Sequence, residues 1–308
     1  MLFPRRTIIF QYLATQYSGF ALEVMWIIVT GCLTAIACAL AGSFLIVRNT
    51  SMISDAISHA ILPGIVAAFL ITGSRTGLPV LIGAASIGLL TTFIIEFLQR
   101  IGKLQADASI GITFTMLFAI GIIMITAFAG NVDIDPDCVL YGEIAYVPLD
   151  MISILGVDIP YAVLMMGGVL LFTVIMFTLG YRQFLASSFD AEHAESLGIN
   201  TTLWHYVLMA CVSFITVAAF DSVGAILVVA LFIVPPATAF LFLKQLHHVM
   251  IAASLFGIVA AIIGYSVADM VNGSIAGAMA TVTGVQLLIV IAVTKLRQKM
   301  SLKKGIIS

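Results

Sequence analysis

Long apolar stretches follow one another along this chain, and short polar segments separate them. The pattern predicts nine helices over residues 21–47, 53–73, 78–98, 108–129, 159–180, 203–220, 222–243, 248–270 and 275–295. Each approaches the roughly 20 apolar residues that a membrane-crossing helix requires. A bilayer admits only helices and closed barrels, because unpaired backbone groups are too costly in hydrocarbon. Barrel strands alternate apolar and polar at period two, and a run such as 225–233 is apolar throughout, so helices are expected. The predicted fold is an all-α polytopic membrane protein, a bundle of about nine transmembrane helices.

Composition agrees with this pattern. Hydrophobic residues make up 62% of the 308 and charged residues only 9%, with a mean hydropathy of +1.19. Such values exclude an ordinary soluble domain, and nothing suggests a nucleic-acid partner. The net charge of −2 matters less than where the cations lie. With the N-terminus outside, Arg48, Arg100, Lys103, Arg182, Lys244, Lys295, Arg297, Lys299, Lys303 and Lys304 fall inside. That is ten of the 13 basic residues, leaving Arg5, Arg6 and Arg75 outside, as the positive-inside rule demands. The expected division is an interfacial or extracytoplasmic segment over 1–20, a permease-like membrane domain over 21–295 and a basic cytoplasmic tail over 296–308. Residues 1–20 show no apolar core with a small-residue cleavage site, and a poor tenth span there stays open. Cys32, Cys38 and Cys211 lie in apolar runs and Cys138 in a polar loop, so no disulfide framework is expected.

The chemistry sits where few charges are affordable. Asp55 and His59 stand four residues apart at the start of a span, so on a helix they share one face. A carboxylate deep in a bilayer costs at least ~2.5–3.5 kcal/mol on insertion scales, and such groups ordinarily face a bundle interior or a water-filled path. Carboxylate oxygen with imidazole nitrogen suits Mn²⁺, Fe²⁺ or Zn²⁺. A first-turn aspartate favoured by the helix dipole, a histidine bonded to a carbonyl, and a proton relay are the alternatives. Pro63 and Gly64 follow one turn later and predict a kink; Pro235 and Pro236 predict another. An outside loop carries Asp133, Asp135, Asp137 and Glu143 without a basic residue. Those acids would bias the local potential toward cations, although their spacing departs from that of a calcium loop. Asp221 and Asp269 lie near outer span ends, as candidates for an outer gate.

Three stretches in order carry a resemblance. Residues 45–64, containing Arg48, Asn49, Ser51, Asp55, His59, Pro63 and Gly64, resemble the signature of the ABC-3 family, the permease subunits of bacterial ATP-binding-cassette importers for manganese, zinc and iron. Residues 140–144, Leu-Tyr-Gly-Glu-Ile, and residues 223–239, from Val223-Gly224 to Pro235-Pro236, are similar to two further elements of that family. Asp221 departs from the family pattern, which has an apolar or small residue there, and the first twenty residues fall outside the match. The resemblance implies a type II importer permease of the vitamin-B12-importer type in the bacterial cytoplasmic (inner) membrane, paired with a second permease subunit. It also implies two cytoplasmic ATPase subunits and an extracytoplasmic metal-binding protein. Asp55 and His59 match the positions of metal contact. The inside segment with Asp190, Glu192, Glu195 and Gly198 matches the coupling helix that docks on the ATPase. The metal would be cargo, with no catalytic cofactor and no enzymatic activity of the chain's own.

Two rivals are weighed against this. A proton-coupled secondary metal transporter would use Asp55 and His59 without an ATPase. An intramembrane zinc protease would need a motif such as H-E-x-x-H, and here one histidine stands without the second. No G-x-x-x-x-G-K-[ST] loop occurs in the chain, so ATP hydrolysis through that route would require a separate subunit.

Overall fold

Hydrocarbon requires every backbone N–H and C=O to be paired within the protein, and long helices meet that demand over most of the chain. The computed structural model describes residues 5–73, 77–128, 144–154 and 156–305. The helices are α1 (Arg5–Val47), α2 (Met52–Ala60), α3 (Leu62–Thr72), α4 (Leu78–Arg100), α5 (Ala106–Phe128) and α6 (Tyr161–Leu179). They continue with α7 (Tyr181–Phe189), α8 (Ala191–Ser196), α9 (Thr201–Val223), α10 (Ala225–Phe240), α11 (Leu246–Val271) and α12 (Ile275–Gly305). Eight spans among the described residues are long and apolar enough to cross a membrane, with α2 and α3 together making one of them. The ninth, α10, has 16 residues and so extends about 24 Å.

Two features depart from the simple hydropathy reading. The backbone of α1 is a single helix of 43 residues from Arg5, about 65 Å long. Residues 5–20 thus continue the first span instead of forming a separate element. Between α5 and α6, a 3₁₀ turn at Ile144–Leu149 leads into a two-stranded hairpin, β1 (Met151–Ile154) and β2 (Val157–Pro160). The strands pair antiparallel with Met151 opposite Pro160 and Ser153 opposite Asp158. Gly156, at a φ of 83°, supplies the left-handed turn that a side chain resists. Strands of four residues are too short for their alternation to stand out in a hydropathy pattern. Ile144, Val147 and Pro148 are buried and fix this cap over the bundle.

The core is built around α1, α9 and α10, whose inward faces carry Phe44, Leu45, Leu208, Ile215, Leu227 and Phe232. Without a hydrophobic drive between helices in lipid, close approach of small residues does the packing. A Cβ on Gly64 would lie 2.6 Å from the carbonyl oxygen of Gly83, so α3 and α4 cross backbone to backbone. Gly42 on α1 likewise faces the carbonyl of Phe232 with no room for a side chain. Pro236 deprives that carbonyl of its helical donor. Even so, α10 runs unbroken through Pro235 and Pro236.

Candidate functional site

Helix α2 begins just after the turn that closes α1. Arg48 and Asn49 donate their N–H groups to Phe44 and Ile46, Thr50 donates to Leu45, and Ile53 donates back to Thr50. Asn49 takes the left-handed conformation, φ 56°, which commonly ends a helix. Six of the nine α2 residues are buried: Ile53, Ser54, Ala56, Ile57, Ser58 and Ala60. The three left are Met52, Asp55 and His59, at positions i, i+3 and i+7, which is one stripe. Its open side is therefore its ionisable side. The Asp55 and His59 side chains are 38% and 33% exposed.

His59 Nε2 lies 3.6 Å from Asp55 Oδ1. That is too long for a hydrogen bond. It is close to the ~3–3.5 Å that separates two ligands each about 2.1 Å from one ion. The His59 ring also stands 5.8 Å, centroid to centroid, from Phe114 of α5. Asp55 occupies the first turn of α2, so the helix dipole favours its negative charge as well. Among the described residues no third His, Cys, Asp or Glu joins the pair. A cation here would complete its shell with water, carbonyl oxygen or another chain.

The expected kink is present. Between α2 and α3 the helix breaks at Ile61, and Pro63 has no N–H to give the His59 carbonyl. Gly64 donates to Ile61 instead of Ala60, so the carbonyls of both His59 and Ala60 are freed in the turn that bears the pair.

The inside loop folds as two short helices. The Asp190 side chain caps α8 by accepting the His193 N–H at 2.9 Å. Gly198, at φ 80°, ends it, with its own N–H on Glu195 and that of Ile199 on Ala194, as anticipated for a C-terminal glycine. Glu192 is exposed, and Glu195 accepts from the Thr201 hydroxyl. Two large apolar side chains flank this segment in the open, Phe189 at 61% and Leu197 at 64% exposure. Reading the loop by its acidic residues passed over both.

A second polar cluster was missed altogether. Arg48 joins the ends of two other helices, α7 and α9. Its Nε donates to Ser188 Oγ, its Nη2 to Ser187 Oγ and its Nη1 to His205 Nδ1, each at 2.8 Å. His205 Nε2 lies against Glu96 Oε1, and the Tyr206 hydroxyl donates to Glu96 Oε2 at 2.9 Å. Burial draws the Arg48 guanidinium down to about 10 while the Glu96 carboxylate acts the other way, so the cation persists at neutral pH. Glu96 alone signalled this cluster, as an ionisable residue in an apolar run. Its partners lie far along the sequence. The cluster also gathers the basic ends of α1 and α4 at one end of the bundle.

The outer candidates are less assembled. Asp221 and Asp269 are both exposed. Asp221 lies with Asp150 within electrostatic reach of Tyr161, and Asp269 lies with Glu23 near Tyr265. Asp133, Asp135, Asp137 and Glu143 fall outside the described residues.

The architecture is that of a polytopic membrane protein, with a broken span, a polar stripe left open on α2 and an exposed arm. The chain belongs to the ABC 3 transport family, whose model matches residues 22–295, and it is a multi-pass protein of the bacterial cytoplasmic membrane. It is 48% identical over 261 residues to the manganese transport system membrane protein MntD of Bacillus subtilis, covering 84% of this chain and 88% of that one. It is 40% identical to the zinc transport system membrane protein TroD of Treponema pallidum, over 85% and 71% of the two chains. Among solved structures it is similar to PsaBC from Streptococcus pneumoniae in complex with Fab. There the TM-score is 0.72 and the identity 30%, with 86% of this chain and 90% of that one covered.

Proposed function

We propose that this chain is the membrane permease of an ATP-driven importer for a divalent first-row transition metal, manganese foremost, and that the ion passes along the open stripe of α2. The observation that carries this is the burial pattern of α2, which covers every residue except Met52, Asp55 and His59. Facing lipid, an aspartate there would be penalised. Facing water or a second permease subunit, it becomes a ligand. Oxygen with a single nitrogen, filled out by water or by the carbonyls that Pro63 and Gly64 release, suits manganese or iron better than the nitrogen- and sulfur-rich shells typical of zinc. Several related proteins are named for manganese, MntD of Bacillus subtilis among them, although TroD of Treponema pallidum is named for zinc. Two cytoplasmic ATPase subunits would drive the cycle through α8, an extracytoplasmic metal-binding protein would deliver the ion, and a second permease subunit would close the path.

The test is manganese uptake in cells that lack the native permease. Asp55→Ala and His59→Ala are each expected to reduce uptake to the level of the empty strain while the ATPase still co-purifies. Full manganese-dependent growth in both variants would remove the stripe from the path. Uptake that survives loss of the ATPase would replace the ATP-driven reading with secondary transport.

A further inference from the structure

The exposed arm α7–α8 has no direct route to the metal-binding stripe except through the bundle, and the polar cluster at Arg48 lies on that route. We propose that Arg48 is the tie through which movement of the ATPase-facing arm reaches α2, and hence Asp55 and His59. It is a positioning residue for transport, and the inference rests on the function proposed above.

Arginine can only donate, so each of its three partners must accept. The Ser187 and Ser188 hydroxyls give their protons to the Phe184 carbonyl, which leaves their lone pairs to the guanidinium. His205 accepts through Nδ1, so its remaining proton sits on Nε2 and faces the Glu96 carboxylate. The guanidinium, the two serines and His205 Nδ1 therefore each have one consistent hydrogen-bonding role, and His205 Nε2 lies against Glu96 Oε1. Guanidinium and carboxylate are linked through the His205 imidazole, and the guanidinium is held in one orientation by its rigid fork.

Two features turn that anchor into a lever. On one side, Ser187 and Ser188 immediately precede Phe189, the last residue of α7, and lie three and two residues before the Asp190 cap of α8. On the other, Arg48 begins the four-residue turn between α1 and α2, bonded back to α1 through Phe44, Leu45 and Ile46 and on to α2 through Ile53 N–H to the Thr50 carbonyl. A shift of α7 therefore pulls on the start of the helix that carries the stripe. Phe184 meanwhile packs on Phe44 at 5.7 Å and on Trp204 at 4.9 Å. This contact keeps the arm folded on the bundle when the polar tie is cut.

The experiment uses the complete complex of permease, ATPase and binding protein in liposomes, with manganese as cargo. In Ser187→Ala/Ser188→Ala and in Arg48→Gln the ATPase is expected to co-purify and to hydrolyse ATP. Manganese moved per ATP should fall about tenfold, within the range common for coupling between distant sites. Ser187→Thr/Ser188→Thr, which keeps both acceptors, should restore the wild-type ratio. If Arg48→Gln does not assemble, the serine variants decide, since they leave the aromatic packing and the His205–Glu96 pair untouched. An unchanged ratio in the alanine variant, or loss of ATPase binding in place of coupling, would overturn the tie. A wild-type complex that moves no manganese would instead overturn the function on which the tie rests.

Discussion

Asp55, His59 and Arg48 show how one residue's meaning depends on what it meets. The first two were visible in the sequence because ionisable groups in an apolar run are costly and rarely idle. Arg48 read as an inside charge and a member of the 45–64 signature, but not as a tie, since its partners Ser188 and His205 stand 140 and 157 positions away. Hydrogen bonds to a charged group typically contribute about 1.5–3 kcal/mol each, and a buried partner left unmet costs a similar amount. Tyr206→Phe, which strips one such bond from Glu96, is therefore expected to lower the melting temperature of the detergent-solubilised protein without changing its fold. Gly64 offers a sharper case. Its Cβ position lies 2.6 Å from the Gly83 carbonyl, so Gly64→Ala should cost about 1–3 kcal/mol by overpacking. A melting temperature equal to wild type would mean that α3 and α4 do not cross as closely as described.

At the scale of elements, hydropathy located the spans well because a bilayer sets their length and polarity one helix at a time. It saw residues 53–73 as a single span. The break at Ile61 follows from Pro63, and its place was foreseeable, but the released carbonyls of His59 and Ala60 acquire importance only beside the open stripe. Pro235 and Pro236 lie within one continuous helix, α10. The same residue type that breaks one helix is tolerated in α10, where the freed Phe232 carbonyl packs against Gly42. The cytoplasmic arm combines both kinds of outcome. Its stop at Gly198 was legible, whereas its cap at Asp190 and the exposure of Phe189 and Leu197 were not. If α8 docks on the ATPase as proposed, Phe189 and Leu197, exposed on either side of it, would lie in that contact. Leu197→Asp is accordingly expected to abolish co-purification with the ATPase while leaving the permease folded. Charge reversal at Glu192 and Glu195 should weaken it. Undiminished co-purification in both would move the docking site off α8.

For the whole molecule, the ends of α1 and α4 that carry Arg48 and Arg100 meet the arm at one end of the bundle, while Asp150, Asp221 and Tyr161 gather at the other. Cysteine placed at Leu197 should then react with a membrane-impermeant maleimide only from the cytoplasmic side. Cysteine at Met270, 83% exposed near the outer end of α11, should react only from outside. Reaction of both from one side would invert or break the topology. Membrane embedding, the approximate number of spans and the position of Asp55 and His59 on one helix were legible in the sequence. Each is a local demand of hydrocarbon on a stretch of some 20 residues. Which side of α2 stays uncovered, and what Arg48 holds, depend on helices distant in the chain packing against one another, and no local pattern of apolar and polar residues encodes that choice.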